Sequence, residues 1–107
     1  MNELKTFLID DEVLALDVLE AFARKHGALL IVGRLQNPVE ALQVLEKEQI
    51  DLIFLDIDMP RLRGNNLLRK LSYKPLSIFT TAYSEFAAEA FELNAIDYLL
   101  KPFSYDR

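Results

Sequence analysis

The sequence predicts a doubly wound α/β domain, in which helices cover both faces of a parallel sheet. Short and nearly continuous apolar runs recur along the chain, as in strands that are buried on both faces. Amphipathic helical patterns separate these runs. Since strand-to-strand crossovers are right-handed, the alternation builds one open sheet, and ligands of such sheets bind outside the carboxyl ends of the strands.

Apolar runs define the predicted strands, and the segments between them define the predicted helices. The strands are residues 7–9, 29–32, 52–55, 76–80 and 98–100. The first helix carries its apolar residues at helical spacing, namely Ala15, Val18, Leu19 and Phe22, and Gly27 supplies its stop. A third helix follows Gly64 with Leu67, Leu68 and Leu71 inward, and a fourth spans residues 84–94.

The second helix has the clearest start signal in the chain. Asn37 is the predicted N-cap, Pro38 the first helical residue, and Glu40 lies three residues past the cap. The residues that should face the core are Ala41, Leu42 and Leu45. These signals fix one helix and its buried face from local sequence alone.

Composition narrows the function classes. With 107 residues, of which 51% are hydrophobic, we expect one soluble domain with a single core. A net charge of -5 with scattered basic residues argues against nucleic-acid binding by this chain itself, because phosphate binding needs a concentrated basic face. The absence of cysteine excludes a thiolate metal site, and the polar residues 2–5 do not resemble a signal peptide, so a cytoplasmic location is expected. No apolar run approaches the roughly 18 residues of a membrane span.

Carboxylates gather at the predicted strand ends. Asp10 and Asp11 follow the first strand, and Asp56 closes the third, with Asp58 just beyond it. Like charges in one site repel unless a cation joins them, so this cluster implies a bound divalent metal. Hard carboxylate oxygen favours Mg²⁺ or Mn²⁺ over Zn²⁺. One of the acids could also be a nucleophile that forms an acyl phosphate, with the metal and a lysine screening the phosphoryl oxygens.

Each of these residues also has a structural interpretation. Asp10 and Asp11 could cap a helix, and residues 56–58 could form a turn before a proline. Lys101 could be a solvated loop lysine, and Tyr98 a half-buried strand residue. Independent caps and turns, however, need not place acids, a hydroxyl and a lysine at the ends of successive strands in this order.

These positions together resemble the receiver domain of two-component response regulators, over the whole chain. The matching motifs are Asp10-Asp11-Glu12, Asp56-x-x-Met59-Pro60 with Gly64 after it, Thr81-Ala82, and Lys101-Pro102-Phe103. Residues 90–103 resemble the LytTR-type subgroup, whose members join a receiver to a C-terminal DNA-binding domain. The resemblance implies a flavodoxin-like, five-stranded parallel sheet of strand order 2-1-3-4-5.

The resemblance also implies a role for each site residue. Asp56 would be the phosphoacceptor, and its phosphoryl donor a sensor histidine kinase or a small acyl phosphate. Mg²⁺ (or Mn²⁺) would be held by Asp11, Asp56, the backbone carbonyl of Asp58 and, through water, Asp10. Phosphoryl contact and switching would fall to Thr81, Lys101 and Tyr98. The phosphoryl lifetime would be tuned by Asp58 and Tyr83. Structural support would come from Gly64 and Pro102, and the bond between Lys101 and Pro102 would be a cis peptide.

The implied function is signalling rather than turnover. Phosphorylation would switch a surface that controls a DNA-binding output domain, and the chain would catalyse only its own phosphorylation and dephosphorylation. We expect one receiver domain over residues 1–107, with a fifth helix that starts near Ser104 and is cut short, and with no effector domain or membrane partner. Two outcomes are expected for the surface that the shortened helix leaves uncovered. Either two copies associate through it as a homodimer, or the chain is part of a longer protein whose continuation bears a LytTR-type DNA-binding domain.

Two alternatives come from other classes. A haloacid-dehalogenase-like phosphohydrolase would use Asp56 as nucleophile and Asp58 as general acid, and it would turn over p-nitrophenyl phosphate. That family places its other acids after its lysine, whereas here they precede it, and it also uses a cap domain. A binding module that has lost phosphorylation is weaker, because every phosphorylation position is filled.

Overall fold

Strands and helices alternate in the computed structural model, which describes residues 3–57, 59, 62–81 and 97–100, with the backbone alone at residues 65, 81 and 97–100. The elements are β1 (Leu4–Ile9), α1 (Val13–His26), β2 (Leu29–Leu35), α2 (Pro38–Lys47), β3 (Leu52–Asp56), α3 (Gly64–Lys70), β4 (Leu76–Thr81) and β5 (Asp97–Leu100). The five strands form one parallel sheet in the order β2-β1-β3-β4-β5, which confirms the predicted fold and strand order. The predicted fourth helix and the start of a fifth lie outside the described residues.

Each face of the sheet has its own core. One core holds α2 and α3 against side chains such as Phe7, Ile9, Leu55 and Phe79. The other core packs Leu16 and Leu19 of α1 against Leu8, Leu52 and Phe54 of the sheet. Successive side chains of a strand alternate between the two faces of the sheet. The core to which each apolar residue belongs therefore also shows on which face the next, polar residue at the strand end lies.

Helix α1 ends where the sequence predicted but presents a slightly different face. Gly27 adopts the left-handed conformation with φ 76°, which a glycine reaches without a Cβ penalty. Its buried residues are Leu16, Leu19 and Ala23, whereas the predicted Ala15, Val18 and Phe22 are only partly buried. Apolar residues cover a wide arc of this helix, so its own pattern does not select the centre of the buried face. Packing against the sheet does.

Helix α2 is fixed at both ends. The Asn37 side chain accepts hydrogen bonds from the backbone N–H groups of Val39 (2.9 Å) and Glu40 (3.2 Å), so the predicted N-cap is confirmed. At the other end, the Tyr73 hydroxyl lies 2.9 Å from the carbonyl oxygen of Leu45 and 2.7 Å from that of Glu48. The same hydroxyl accepts from the backbone N–H of Ile50 at 3.2 Å. Tyr73 therefore joins the end of α2 to the residues that lead into β3.

Within the part of the chain that the structure describes, none of the helices has the length and apolar character needed to span a membrane.

Candidate phosphoacceptor and metal site

The structure brings the predicted acids of two strands together. Asp10 directly follows β1 and Asp56 ends β3, and these strands are neighbours in the sheet. Carboxylate oxygens of Asp10, Asp11 and Asp56, one from each residue, all lie within 4.8 Å of one another. Residues far apart in sequence thus meet because parallel strands end at the same edge of the sheet.

Burial gives this acidic cluster its electrostatic character. Asp10 has 0% of its surface exposed and Asp56 has 3%, while Asp11 is partly exposed. Carboxylates that are taken out of water beside one another repel, and a bound cation offsets both the repulsion and the lost hydration. The donors are hard oxygens without histidine or cysteine, which suits Mg²⁺. The residues present therefore fit a magnesium site.

Asp10 also has a structural contact. Its Oδ1 accepts a hydrogen bond of 2.9 Å from the backbone N–H of Glu12, the residue that precedes α1. The helix-cap interpretation of this acid is thus correct in part, because Asp10 holds the turn between β1 and α1. A carboxylate with two oxygens can hold this turn and still face the cluster. The turn contact in turn restrains the Asp10 side chain.

Gly64 lies against the backbone of the phosphoacceptor position. A Cβ at residue 64 would come within 2.2 Å of the Asp56 carbonyl oxygen and 3.1 Å of the Ile57 Cα. The Gly64 backbone N–H donates to the Ile57 carbonyl oxygen at 2.9 Å. Only glycine allows this approach, which supports the structural role predicted for Gly64. Ile57 and Met59 are 1% and 3% exposed, so they anchor the start of this loop in the core.

The other predicted site residues are only partly described. Thr81 ends β4, the strand next to β3, and its backbone pairs with Leu100, while Tyr98 lies one strand further out in β5 and pairs with Phe79. Asp58, Tyr83, Lys101 and Pro102 lie outside the described residues. Sequence reasoning missed Thr80, which pairs directly with Asp56. The sequence feature that could have identified Thr80 is its position as a polar residue at the end of the apolar run of residues 76–80.

Comparison with known proteins identifies the family. Residues 6–107 match the family model of the response regulator receiver domain. The chain belongs to this family. The receiver domain is 42% identical over 102 residues to an uncharacterized response regulatory protein of Shewanella oneidensis, covering 94% of this chain and 43% of that protein. It is 39% identical over 107 residues to the transcriptional regulatory protein YpdB of Escherichia coli, covering 97% of this chain and 44% of YpdB.

A solved structure supports the same assignment. The response regulatory domain of protein MrkE from Klebsiella pneumoniae superimposes with a TM-score of 0.87 at 39% identity, covering 96% of this chain and 87% of that one. The receiver domain spans less than half the length of the curated relatives it matches. These relatives include LytTR-type response regulators, as the sequence motifs predicted. The comparisons support a phosphoacceptor signalling domain and not the haloacid-dehalogenase-like phosphohydrolase.

Proposed function

We propose that this receiver domain accepts a phosphoryl group on Asp56, with Mg²⁺ held by Asp11, Asp56, the backbone carbonyl of Asp58 and, through water, Asp10. The observation that carries the proposal is the meeting of three carboxylates within 4.8 Å at the carboxyl ends of β1 and β3. Asp56 is the only one of the three that ends the central strand β3 and precedes a loop anchored by buried residues.

The chemistry follows from the acidic cluster. An ionised Asp56 oxygen attacks the phosphorus of the donor in line, a new O–P bond forms, and the bond from phosphorus to the leaving group breaks. With acetyl phosphate the leaving group is acetate, and with a histidine kinase it is an imidazole nitrogen. When bound, Mg²⁺ neutralises negative charge between the carboxylates and the phosphoryl oxygens. Lys101 and Thr81 supply the other contacts to those oxygens.

A signalling cycle follows from this reaction. The receiver domain acts in the cytoplasm, with a sensor histidine kinase as the donor. The phosphorylated state acts on a LytTR-type DNA-binding output domain or on a second receiver in a homodimer. Contact of Thr81 and Lys101 with the phosphoryl group moves the loop after β4, and Tyr98 moves inward behind it. Asp58 and Tyr83 tune the lifetime of the acyl phosphate, and Pro102 shapes the loop that carries Lys101.

The proposal is tested by labelling the protein with acetyl phosphate and Mg²⁺ and weighing it by intact-mass spectrometry. We expect one phosphoryl group on the wild type, none on Asp56→Asn, and none when a chelator removes the metal. Asp51→Asn is the matched control, because Asp51 directly precedes β3 at the end away from Asp56 and accepts a 2.8 Å hydrogen bond from the Lys5 backbone. Undiminished labelling of Asp56→Asn would refute the proposal. Sustained turnover of p-nitrophenyl phosphate would favour a phosphatase.

A further inference from the structure

Thr80 carries a buried hydroxyl that the fold itself does not satisfy. The residue is 0% exposed in β4, and its Oγ1 has no hydrogen-bond partner among the described residues. Buried hydroxyl groups in proteins are nearly always hydrogen-bonded, and an unsatisfied one destabilises the folded state. Its presence at this position therefore requires an explanation.

The sheet register places Thr80 beside Asp56. The two residues are Cα partners across the parallel strands β3 and β4, which are spaced about 4.8 Å apart in such sheets. The Ile57 N–H donates to the Thr80 carbonyl oxygen at 3.1 Å, so the register is fixed at this point. Partners in register point to the same face, so the Thr80 hydroxyl and the Asp56 carboxylate extend from the sheet side by side.

The two cores identify that face. Leu55 and Phe79 belong to the core of α2 and α3, so the next residues, Asp56 and Thr80, lie on the face that α1 covers. Asp10 follows Ile9 of the same core and lies on the α1 face by the same alternation. Thr80 therefore shares both its face and its end of the sheet with the acidic cluster.

Other buried hydroxyls of this sheet are satisfied locally. Thr6, also 0% exposed, donates to the carbonyl oxygen of Leu4 at 3.0 Å. Ser77, 1% exposed, donates to the carbonyl oxygen of Pro75 at 3.2 Å. Both bonds reach two residues back along the chain. The Thr80 hydroxyl makes no such bond within the described residues, so its proton is available to the neighbouring carboxylate.

We infer that Thr80 is a positioning residue whose hydroxyl, which has no partner among the described residues, donates to the Asp56 carboxylate during phosphoryl transfer, an inference that rests on the proposed phosphorylation of Asp56. A hydroxyl has one proton to donate and an ionised carboxylate only accepts, so the two groups are complementary. The contact restrains the side chain whose oxygen attacks phosphorus. The proton stays on Thr80 throughout, and after transfer the hydroxyl donates to the acyl oxygen of the phosphorylated side chain.

This role differs from the one proposed for Thr81. The resemblance assigns the Thr81 hydroxyl to the phosphoryl oxygens, which arrive with the donor. The Thr80 hydroxyl instead acts on the nucleophile, the Asp56 carboxylate. Removing it should therefore lower the maximal rate of phosphorylation without changing the acetyl phosphate concentration that gives half of that rate.

The test compares Thr80→Val, Thr80→Ser and the matched control Thr6→Val in the full chain. Valine keeps the shape of threonine and removes the hydroxyl. We expect Thr80→Val to lower the maximal labelling rate by about tenfold, the order expected for a lost hydrogen bond to a charged group. Its melting temperature should stay unchanged or rise, because an apolar group replaces an unsatisfied polar one. Thr80→Ser should restore the rate. Thr6→Val should lower the melting temperature and leave the rate unchanged.

The outcomes separate this inference from the proposal on which it rests. If Thr80→Val is labelled at the wild-type rate while Asp56→Asn is not labelled, the inference is wrong and the phosphoacceptor proposal stands. A rate that falls together with the melting temperature and is not restored by serine would show a purely structural role for Thr80, which also overturns the inference. A wild-type protein that takes no label would overturn both.

Discussion

Replacing Gly64 by alanine should disturb the phosphoacceptor loop, because the added Cβ would collide with the backbone of Asp56 and Ile57. The added Cβ would lie 2.2 Å from the Asp56 carbonyl oxygen, whereas ordinary contacts begin at 3.4 Å. To reach an ordinary contact, the backbone at residue 64 and the Asp56 carbonyl must therefore move apart by about 1.2 Å. The obstructing atom belongs to the backbone, so no side-chain rotation relieves the clash.

The cost of this opening follows from two contributions. Overpacking of a close contact destabilises a protein by roughly 1–3 kcal/mol. Weakening the 2.9 Å hydrogen bond from Gly64 to Ile57 adds about 0.5–1.5 kcal/mol. The sum is a large fraction of the roughly 5–15 kcal/mol that stabilises a typical domain. Because a misplacement of about 1 Å can cost on the order of a hundredfold in rate, labelling of Asp56 should fall steeply as well.

Gly27→Ala is the matched control. Gly27 has φ +76° and no atom within 4 Å of an added Cβ, so alanine there strains the backbone without a clash. It should cost about 1–2 kcal/mol of stability and leave the labelling rate unchanged. Urea unfolding and acetyl phosphate labelling of both variants decide the matter. If Gly64→Ala unfolds at the wild-type urea concentration and is labelled at the wild-type rate, the steric argument is refuted.

Three further predictions concern the metal site and the scaffold. Asp11→Ala should weaken Mg²⁺ binding in a calorimetric titration by at least about tenfold, because a carboxylate near a cation contributes several kcal/mol at intermediate dielectric; unchanged affinity would remove Asp11 from the site. Tyr73→Phe should lower the free energy of unfolding by about 0.5–1.5 kcal/mol, since it removes the hydroxyl that contacts the end of α2, and equal stability would contradict that role. The hydrogen bond from Arg24 holds the pKa of Glu20 below its ordinary value of 4.5, so this carboxylate stabilises the fold above that pH and ceases to do so as the pH falls through the lowered pKa. Glu20→Gln should therefore melt earlier than the wild type at neutral pH, and a difference that persists unchanged in acid would show another cause.

Local signals predicted the elements that local physics controls. Asn37 followed by Pro38 marks a helix start because a side-chain oxygen can satisfy free N–H groups within one turn, and the structure shows both bonds. Gly27 marks a helix end because its conformation is a property of one residue. The buried face of α1 was predicted about one residue away, because the apolar arc of that helix is wider than the surface it covers.

The sequence by itself determined the strand and helix alternation, the capping signals and the presence of acids at strand ends, since these depend on residues that are near one another in the chain. Tertiary structure alone decided which groups share a face and how closely they approach. The 4.8 Å cluster of acids, the contact of Gly64 with the Asp56 carbonyl and the pairing of Thr80 with Asp56 all arise where separate strands or loops meet. Strand register sets these distances, and register is a product of packing both cores at once, which no single segment of the sequence specifies.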